Sequence, residues 1–541
     1  MTTRRAQVVG QPHAQRQFLE GIHIVADLLA PTLGPLGGHV AGSTNANTKY
    51  ELFDDAGTVV RRLLSLGTPQ ADIGAMLMRN MVWRLQQRFG DGGTTAAVLA
   101  RALTVRGARL QAAGINAMEL ARGLQVATTA AVAALRAQTQ PLAGEVDLAR
   151  LAYAVTGDRA LSAVLGELRA LLGPEGHVQI EKLVAPYLER RYIAGAHFKA
   201  QIASMYFYTD TAQRHAVLTA PAIALVDEPL QSAEAAVALM EAALTRGAKA
   251  LLILAPEISG PALHLLVTNQ QAPADKRKLL LLGARLAASV GERSAQFTDI
   301  GVLTGAALLG QGRLRSVRSV RPDDLGTAVR VELAREALTL FAHESFSATI
   351  RAEAASVQTR LTTMALNDEE RPVLTRRLAT LTGGIGELKI GAHSELERTL
   401  LFDKATRALH VLTAAQRGGV VAGGGAAFVH ALPALRDLPL QGDQAAGAAL
   451  LAACLDAPLR QIAHNAGVDA PRLIAQRVAD AGAPAAFDAY THALVDGPAC
   501  GVVDATEVVI GILVNAVGCA HMALTTDTIV YHRAPEQSMN P

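Results

Sequence analysis

Residues Gly90 to Thr95 read GDGGTT and run straight into AAVLARALTVRGARL, a composition that favours helix. An aspartate set among glycines, with two threonines at the mouth of a helix, suits a phosphate cradle. Glycine lets backbone N–H groups approach a phosphate with no Cβ in the way, and the helix N-terminus adds donors and partial positive charge. Thr94 or Thr95 is expected to cap the helix, and Asp91 to reach a magnesium ion bridging phosphates. The same residues also describe an ordinary glycine-rich turn closed by a threonine cap, because short glycine motifs often match by chance. Neither GxxxxGK[ST] nor GxGxxG occurs, so a P-loop or Rossmann site is not the explanation.

Two other loops have the same character. PTLGPLGG, Pro31 to Gly38, closes a helix with turn chemistry, and VVAGGGAAFVHAL, Val420 to Leu432, sets Gly423, Gly424 and Gly425 before another helix. Consecutive glycines at a helix entrance imply close approach by a ligand or by backbone. Around these loops the two chain ends read alike. Apolar residues recur at i, i+3, i+4 from about residue 14 to 135, and the helical pattern returns from about 425 to 520. The middle differs: PAIALVDEPL and AKALLILAPE are short apolar runs flanking the helical SAEAAVALMEAALTRG. That βαβ spacing predicts an α/β unit with a mostly parallel sheet over about 190–385.

Bulk properties narrow the function. The 541 residues are half hydrophobic and 18% charged, enough for a large globular body of several domains. A net charge of +2 and 4% aromatic residues give no reason to expect nucleic acid. Cys454, Cys500 and Cys519 stand apart, with no CxxC pair, and read as buried thiols of a reducing compartment. The start lacks a signal-like apolar stretch, and no uninterrupted apolar run reaches about 18 residues. The expectation is a soluble cytoplasmic protein with no membrane partner, and a disordered HRAPEQSMNP end.

TLGPLGGHV, GDGGTTAAVLARAL, AAGINAMELARGL and VVAGGGAAFVHA, in this order and spacing, resemble the GroEL family of bacterial group I chaperonins. The resemblance implies a multidomain α and α/β chaperonin fold. Its parts would be a helical equatorial domain from both chain ends (1–137 and 418–541), a hinge-like intermediate domain (138–193 and 384–417) and an α/β apical domain (194–383). It also implies ATP and Mg2+, with K+ as a further family cation, and a homo-oligomer of one heptameric ring or two. Partners would be unfolded polypeptides and a co-chaperonin lid. ATP would lie among Thr32, Leu33, Gly34 and Pro35, then Asp91, Gly92, Gly93, Thr94 and Thr95, then Gly424 and Asp504, with Asp91 on the metal. Asp504 in VVDATEV matches the aspartate that holds the ribose, and Asp488, Ala489 and Tyr490 match the segment lining the base. Tyr490 is bulkier than the family's usual small residue.

Other departures bear on hydrolysis. The family reads GDGTTT, whereas Gly93 here replaces the first threonine. The FDDAG pair Asp54 and Asp55 stands where the family carries lysine beside aspartate; Asp55 would remain a carboxylate near the attacking water. SELE begins a long helix, with Ser394 and Glu397 in capping-box spacing. Arg407 on that helix falls where the family has its hydrolytic aspartate. A guanidinium is always charged and cannot serve as a general base, a loss worth about 10²–10⁴-fold in rate. Three readings stand for Arg407. It pairs with Asp403 four residues earlier on a solvated face; or Asp403 substitutes for the lost acid from one turn away; or Arg407 itself contacts the γ-phosphate. Each puts ordinary hydrolysis in doubt.

The resemblance further implies an apolar client surface: Ile202, Tyr206 and Phe207 in a loop, Val237 and Met240 on one helix, Leu263 and Val267 on another. As bare sequence, such residues at helical spacing are more often core. Three functions therefore compete: a divergent folding chaperonin with slow or lost hydrolysis, a chaperonin-like scaffold or regulatory subunit that joins an ordinary paralogue, and a small-molecule α/β enzyme. The last has no triad, HExxH or dinucleotide fingerprint behind it.

Overall fold

The computed structural model describes residues 7–43, 50–53, 55–63, 65–142, 144–174, 176–193, 195–210, 214–273, 277–286, 290–310, 313, 315–334, 337–363, 370–382 and 385–531. Asp54 and the HRAPEQSMNP end lie outside them. The chain divides into two compact units, Met1–Glu167 with Leu400–Pro541, and Leu168–Thr399. The first joins both chain ends, and the two segments expected to form the hinge are each cut by the unit boundary.

The first unit is a helical body. His13–Leu29 buries Phe18, Ile22, Val25 and Leu29, the stripe that its apolar spacing predicts. This helix packs on Pro69–Phe89 so closely that a Cβ on Gly21 would strike the Ala71 carbonyl. Thr506–Thr525 packs against Pro69–Phe89, Gly93–Ala112 and Ala117–Ala137. By length and composition it is apolar enough to cross a membrane, but 61% of its apolar window is buried among these neighbours, as in a core helix.

The second unit holds a nine-stranded sheet. Its order is Leu308–Leu309, Ala222–Val226, Ala250–Leu254, Leu280–Leu286, Gly195–Ile202, Ala337–Phe341, Arg330–Ala334, His215–Thr219, with Gly326–Thr327 off the second strand. Only the first four strands run parallel to one another. The other pairs are antiparallel, which corrects the expected mostly parallel sheet. The βαβ signal came from strands buried along their whole length, such as AIALV and ALLIL. HAVLT alternates exposed and buried positions, and this antiparallel half supplies no helix-crossover pattern. A smaller sheet orders His177–Lys182, Ile385–Ile390 and Leu188–Ile193.

The thiols also differ from expectation. Cys454 and Cys519 are buried, and burial pushes both up to about 12, while Cys500 is exposed.

Candidate functional site

Every residue expected around the nucleotide lies in the first unit. Helix Pro69–Phe89 ends at Gly90, whose φ of 76° lies in the left-handed region that glycine tolerates. A Cβ there would lie 2.6 Å from the Arg407 carbonyl oxygen and 3.0 Å from its Cα. The backbone of helix Glu395–Gly418 thus rests directly on the loop at Arg407. At the start of that helix, Ser394 Oγ accepts from the Glu397 amide at 3.1 Å, one half of the expected capping box.

Asp91 follows, with Oδ1 accepting from the Gly92 amide at 2.7 Å. Gly92 then acts as the N-cap of Gly93–Ala112, and no side chain caps this helix. Thr94 and Thr95 therefore sit within the first turn and are not caps, a correction to the expectation. The uncapped first-turn amides point the donors and dipole of a 20-residue helix into the loop. Gly93 has a packing reason: a Cβ would fall 2.9 Å from Val82 Cγ1 and 3.1 Å from Ala56 Cβ. A threonine at this position would collide with both.

Thr94 Oγ1 lies 3.3 Å from Thr32 Oγ1, which donates to the Leu29 carbonyl at 2.8 Å. Leu33 is buried, Gly34 packs on Ile462, and Pro35 is exposed. Asn465 pins this turn: its Nδ2 donates to the carbonyls of Ala30 and Leu33 at 2.9 and 2.8 Å. Sequence reasoning missed Asn465, since a lone asparagine near a helix C-terminus carries no signal of what it will hold.

From the other chain end, Val420–Ala422 and Val503–Ala505 pair antiparallel, with Val421 opposite Asp504. The Gly424 amide donates to Asp504 Oδ2 at 3.0 Å. The Phe487 carbonyl lies 3.9 Å from where a Gly424 Cβ would stand, so the hairpin Ala485–Asp488/Ala493–Asp496 borders the glycine turn. Asp488 spends its carboxylate on its own turn, accepting from the Tyr490 amide at 2.9 Å and Thr491 Oγ1 at 2.7 Å. Ala489 is buried in the adjoining core and Tyr490 is exposed.

Electrostatics ties the loops together. Asp91 keeps an open side to solvent, but the protein packed behind its carboxyl raises its pKa. The Gly92 amide and the Arg407 guanidinium pull it back, and Asp55 pushes it up further. Burial, and then the charge of Asp91, lifts Asp504 to about 7 against the amides of Gly424 and Gly425. Asp55 doubles as the N-cap of Ala56–Arg62, taking Thr58 N at 2.9 Å and Thr58 Oγ1 at 2.6 Å. Asp403 is exposed one turn before Arg407. Among the described residues no cluster of three or more metal-ligating side chains exists. Few carboxylates at a site suit magnesium, because that ion keeps several waters and takes phosphate oxygens.

The expected client residues divide in the second unit. Tyr206 is 51% and Val237 38% exposed. Ile202, Met240, Leu263 and Val267 are partly buried against the core. Phe207 is fully buried there, which corrects its placement on a surface: its ring packs over Gly283 and has no face left for a client.

Comparison with known proteins agrees with this architecture. The TCP-1/cpn60 chaperonin family matches residues 25–534. Two Cereibacter sphaeroides proteins named Chaperonin GroEL 2 are each 32% identical over 529 residues, covering 97% of this chain and 95% of theirs. The fold matches crystal structures of the chaperonin gp146 from the Pseudomonas aeruginosa bacteriophage EL, obtained in the presence of ATP-BeFx. Their TM-scores are 0.73 and 0.69 at 16% identity, over 98% of this chain and 99% of that one. With loops from both chain ends meeting at Asp91 and Asp504, and a family match spanning nearly the whole chain, the protein belongs to the TCP-1/cpn60 chaperonin family.

Proposed function

We propose that this chaperonin binds ATP in the first unit, assembles into a ring and assists the folding of non-native polypeptides, with hydrolysis slow or lost. Chaperonins are ATP-dependent folding proteins, and the family membership carries that coarser statement here. The finer reading rests on one observation: glycine turns and carboxylates distant in sequence share one electrostatic neighbourhood, with Arg407 at its edge.

In this reading the first-turn amides of Gly93–Ala112 and the Gly424 turn receive the phosphates. Asp91 would hold Mg2+, which would supply charge neutralisation of the phosphates. Asp504 accepts from the ribose and the hairpin turn at Ala489 and Tyr490 borders the base. Arg407 cannot take a proton from water, but an arginine can stabilise a bound γ-phosphate. Asp403 lies a turn away, about 6 Å along the helix, and would have to move to replace the missing acid.

Equilibrium ATP binding measured beside ATPase turnover tests this. The expected result is tight binding with slow turnover, and Arg407→Asp raising turnover by about 10²-fold or more without tightening binding. Fast turnover by the unaltered protein overturns the role given to Arg407. A second reading, a scaffold or regulatory subunit that handles no clients, draws support from the burial of Phe207 and the partial burial of four other expected client residues. Failure to suppress aggregation of a denatured client would favour it.

A further inference from the structure

Behind the Thr32–Pro35 turn, in the first unit, lies a cavity of about 340 Å³ with a basic lining. Arg101 reaches it from Gly93–Ala112, Arg460, Gln461 and His464 from Ala457–Asn465, and Arg472 from Pro471–Ala481. Its acid is Asp27, paired with Arg101 Nε at 2.6 Å; just outside, Asp456 pairs with Arg460 Nε at 3.0 Å. Asp27 also accepts from Arg101 Nη2 at 3.3 Å, but a guanidinium carries five donors, so other N–H groups of Arg101 and Arg460 remain for a ligand. Arg472 is exposed and forms no ion pair among the described residues. Three guanidiniums face two carboxylates, leaving an excess of positive charge before His464 is counted. The volume falls at the lower end of small-ligand pockets, about 300–1,000 Å³. Forked guanidinium donors match phosphate and carboxylate oxygens alike, and several guanidiniums around one cavity suit the higher charge of a diphosphate.

We propose that this cavity is a second anion site, separate from the nucleotide loops, that takes a small phosphate-bearing ligand of about diphosphate size. Its occupancy reaches the nucleotide loops along a short hydrogen-bonded path. Gln461 Nε2 donates to Asn465 Oδ1 at 2.9 Å, and Asn465 in turn holds the carbonyls of Ala30 and Leu33. Thr32 lies between those two residues and meets Thr94 on the phosphate loop. A ligand that draws Gln461 into the cavity therefore loosens or shifts the turn. This coupling rests on the nucleotide reading above; the site itself does not.

Calorimetric titration of sodium pyrophosphate into the full-length protein tests both parts. Pyrophosphate is expected to bind the unaltered protein, about tenfold or more weaker to Arg472→Ala, intermediate to Arg472→Lys, and with unchanged stoichiometry when ATP saturates the nucleotide loops. Pyrophosphate is also expected to change ATP affinity in the unaltered protein but not in Asn465→Ala. Equal binding by Arg472→Ala, or loss of binding when ATP saturates the nucleotide loops, overturns the site, the latter by moving the anion to those loops. No pyrophosphate binding together with an assembly mass that changes in Arg472→Ala overturns it in favour of an acidic segment of a second copy. If ATP fails to bind while pyrophosphate binding still depends on Arg472, the nucleotide reading fails and the anion site stands.

Discussion

At Asp504 a single carboxyl records the crowding of the whole site. Its ordinary value of 3.8 rises to about 7, chiefly through burial and then through Asp91. Between those values the folded chain holds a proton that the unfolded chain has released, so stability falls as pH rises from about 4 to 7 and levels off above. In buffer free of metal and nucleotide, Asp504→Asn is expected to flatten that part of the profile, read as urea midpoints from pH 4 to 8. A profile identical to that of the unaltered protein would show that Asp504 titrates as an ordinary surface acid. Asp91 and Gly424 stood out in the sequence as loop residues, whereas Asp504 was assigned only through the family resemblance of VVDATEV. Glycine runs and a lone aspartate at helix entrances state their backbone geometry directly. The contact between Gly90 and Arg407 was not legible, because the residues are 317 positions apart and neither betrays its neighbour.

Among the elements, the three helices Val290–Thr304, Ser347–Thr363 and Arg371–Thr382 are bound through one guanidinium. Arg377 Nη2 lies 2.7 Å from Asp299 Oδ1 and 2.9 Å from Glu353 Oε1, and the Asp299 side chain is only 3% exposed. Burial raises Asp299 to about 6 even against this partner, so desolvation offsets much of the attraction within the pair. Arg377→Met is expected to cost about 3–5 kcal/mol in chemical denaturation, because it strands a buried carboxylate. The double variant with Asp299→Leu should recover much of that loss. A single-variant cost below about 1 kcal/mol would mean that water reaches the pair. Neither these three helices nor the antiparallel half of the large sheet was read from the sequence. Strand direction depends on partners distant in sequence, which an apolar run cannot specify.

For the whole molecule, two of the two-stranded sheets would offer open edges to the proposed assembly. Gln7–Val9 pairs with Ile529–Tyr531, and Val40–Ser43 with Tyr50–Phe53, each as a two-stranded sheet. Two strands alone are marginal in water and leave open edges, and Val8 and Val530 are 68% and 57% exposed across from one another. Native mass spectrometry is expected to show a ring-sized assembly for the unaltered chain and mainly smaller species for Val8→Asp. A monomer in both would remove the ring from the proposed function.

The sequence alone determined the fold family, the helical ends around an α/β centre, and the glycine-rich loops at helix entrances, since these depend on local geometry and on motif order. Only the tertiary structure decided that Gly92 rather than a threonine begins the loop helix, that Phe207 is core, and that the Arg407 backbone rests on the glycine loop at Gly90. Those outcomes turn on which surfaces meet, and chain packing sets that through contacts between residues that the local sequence does not link.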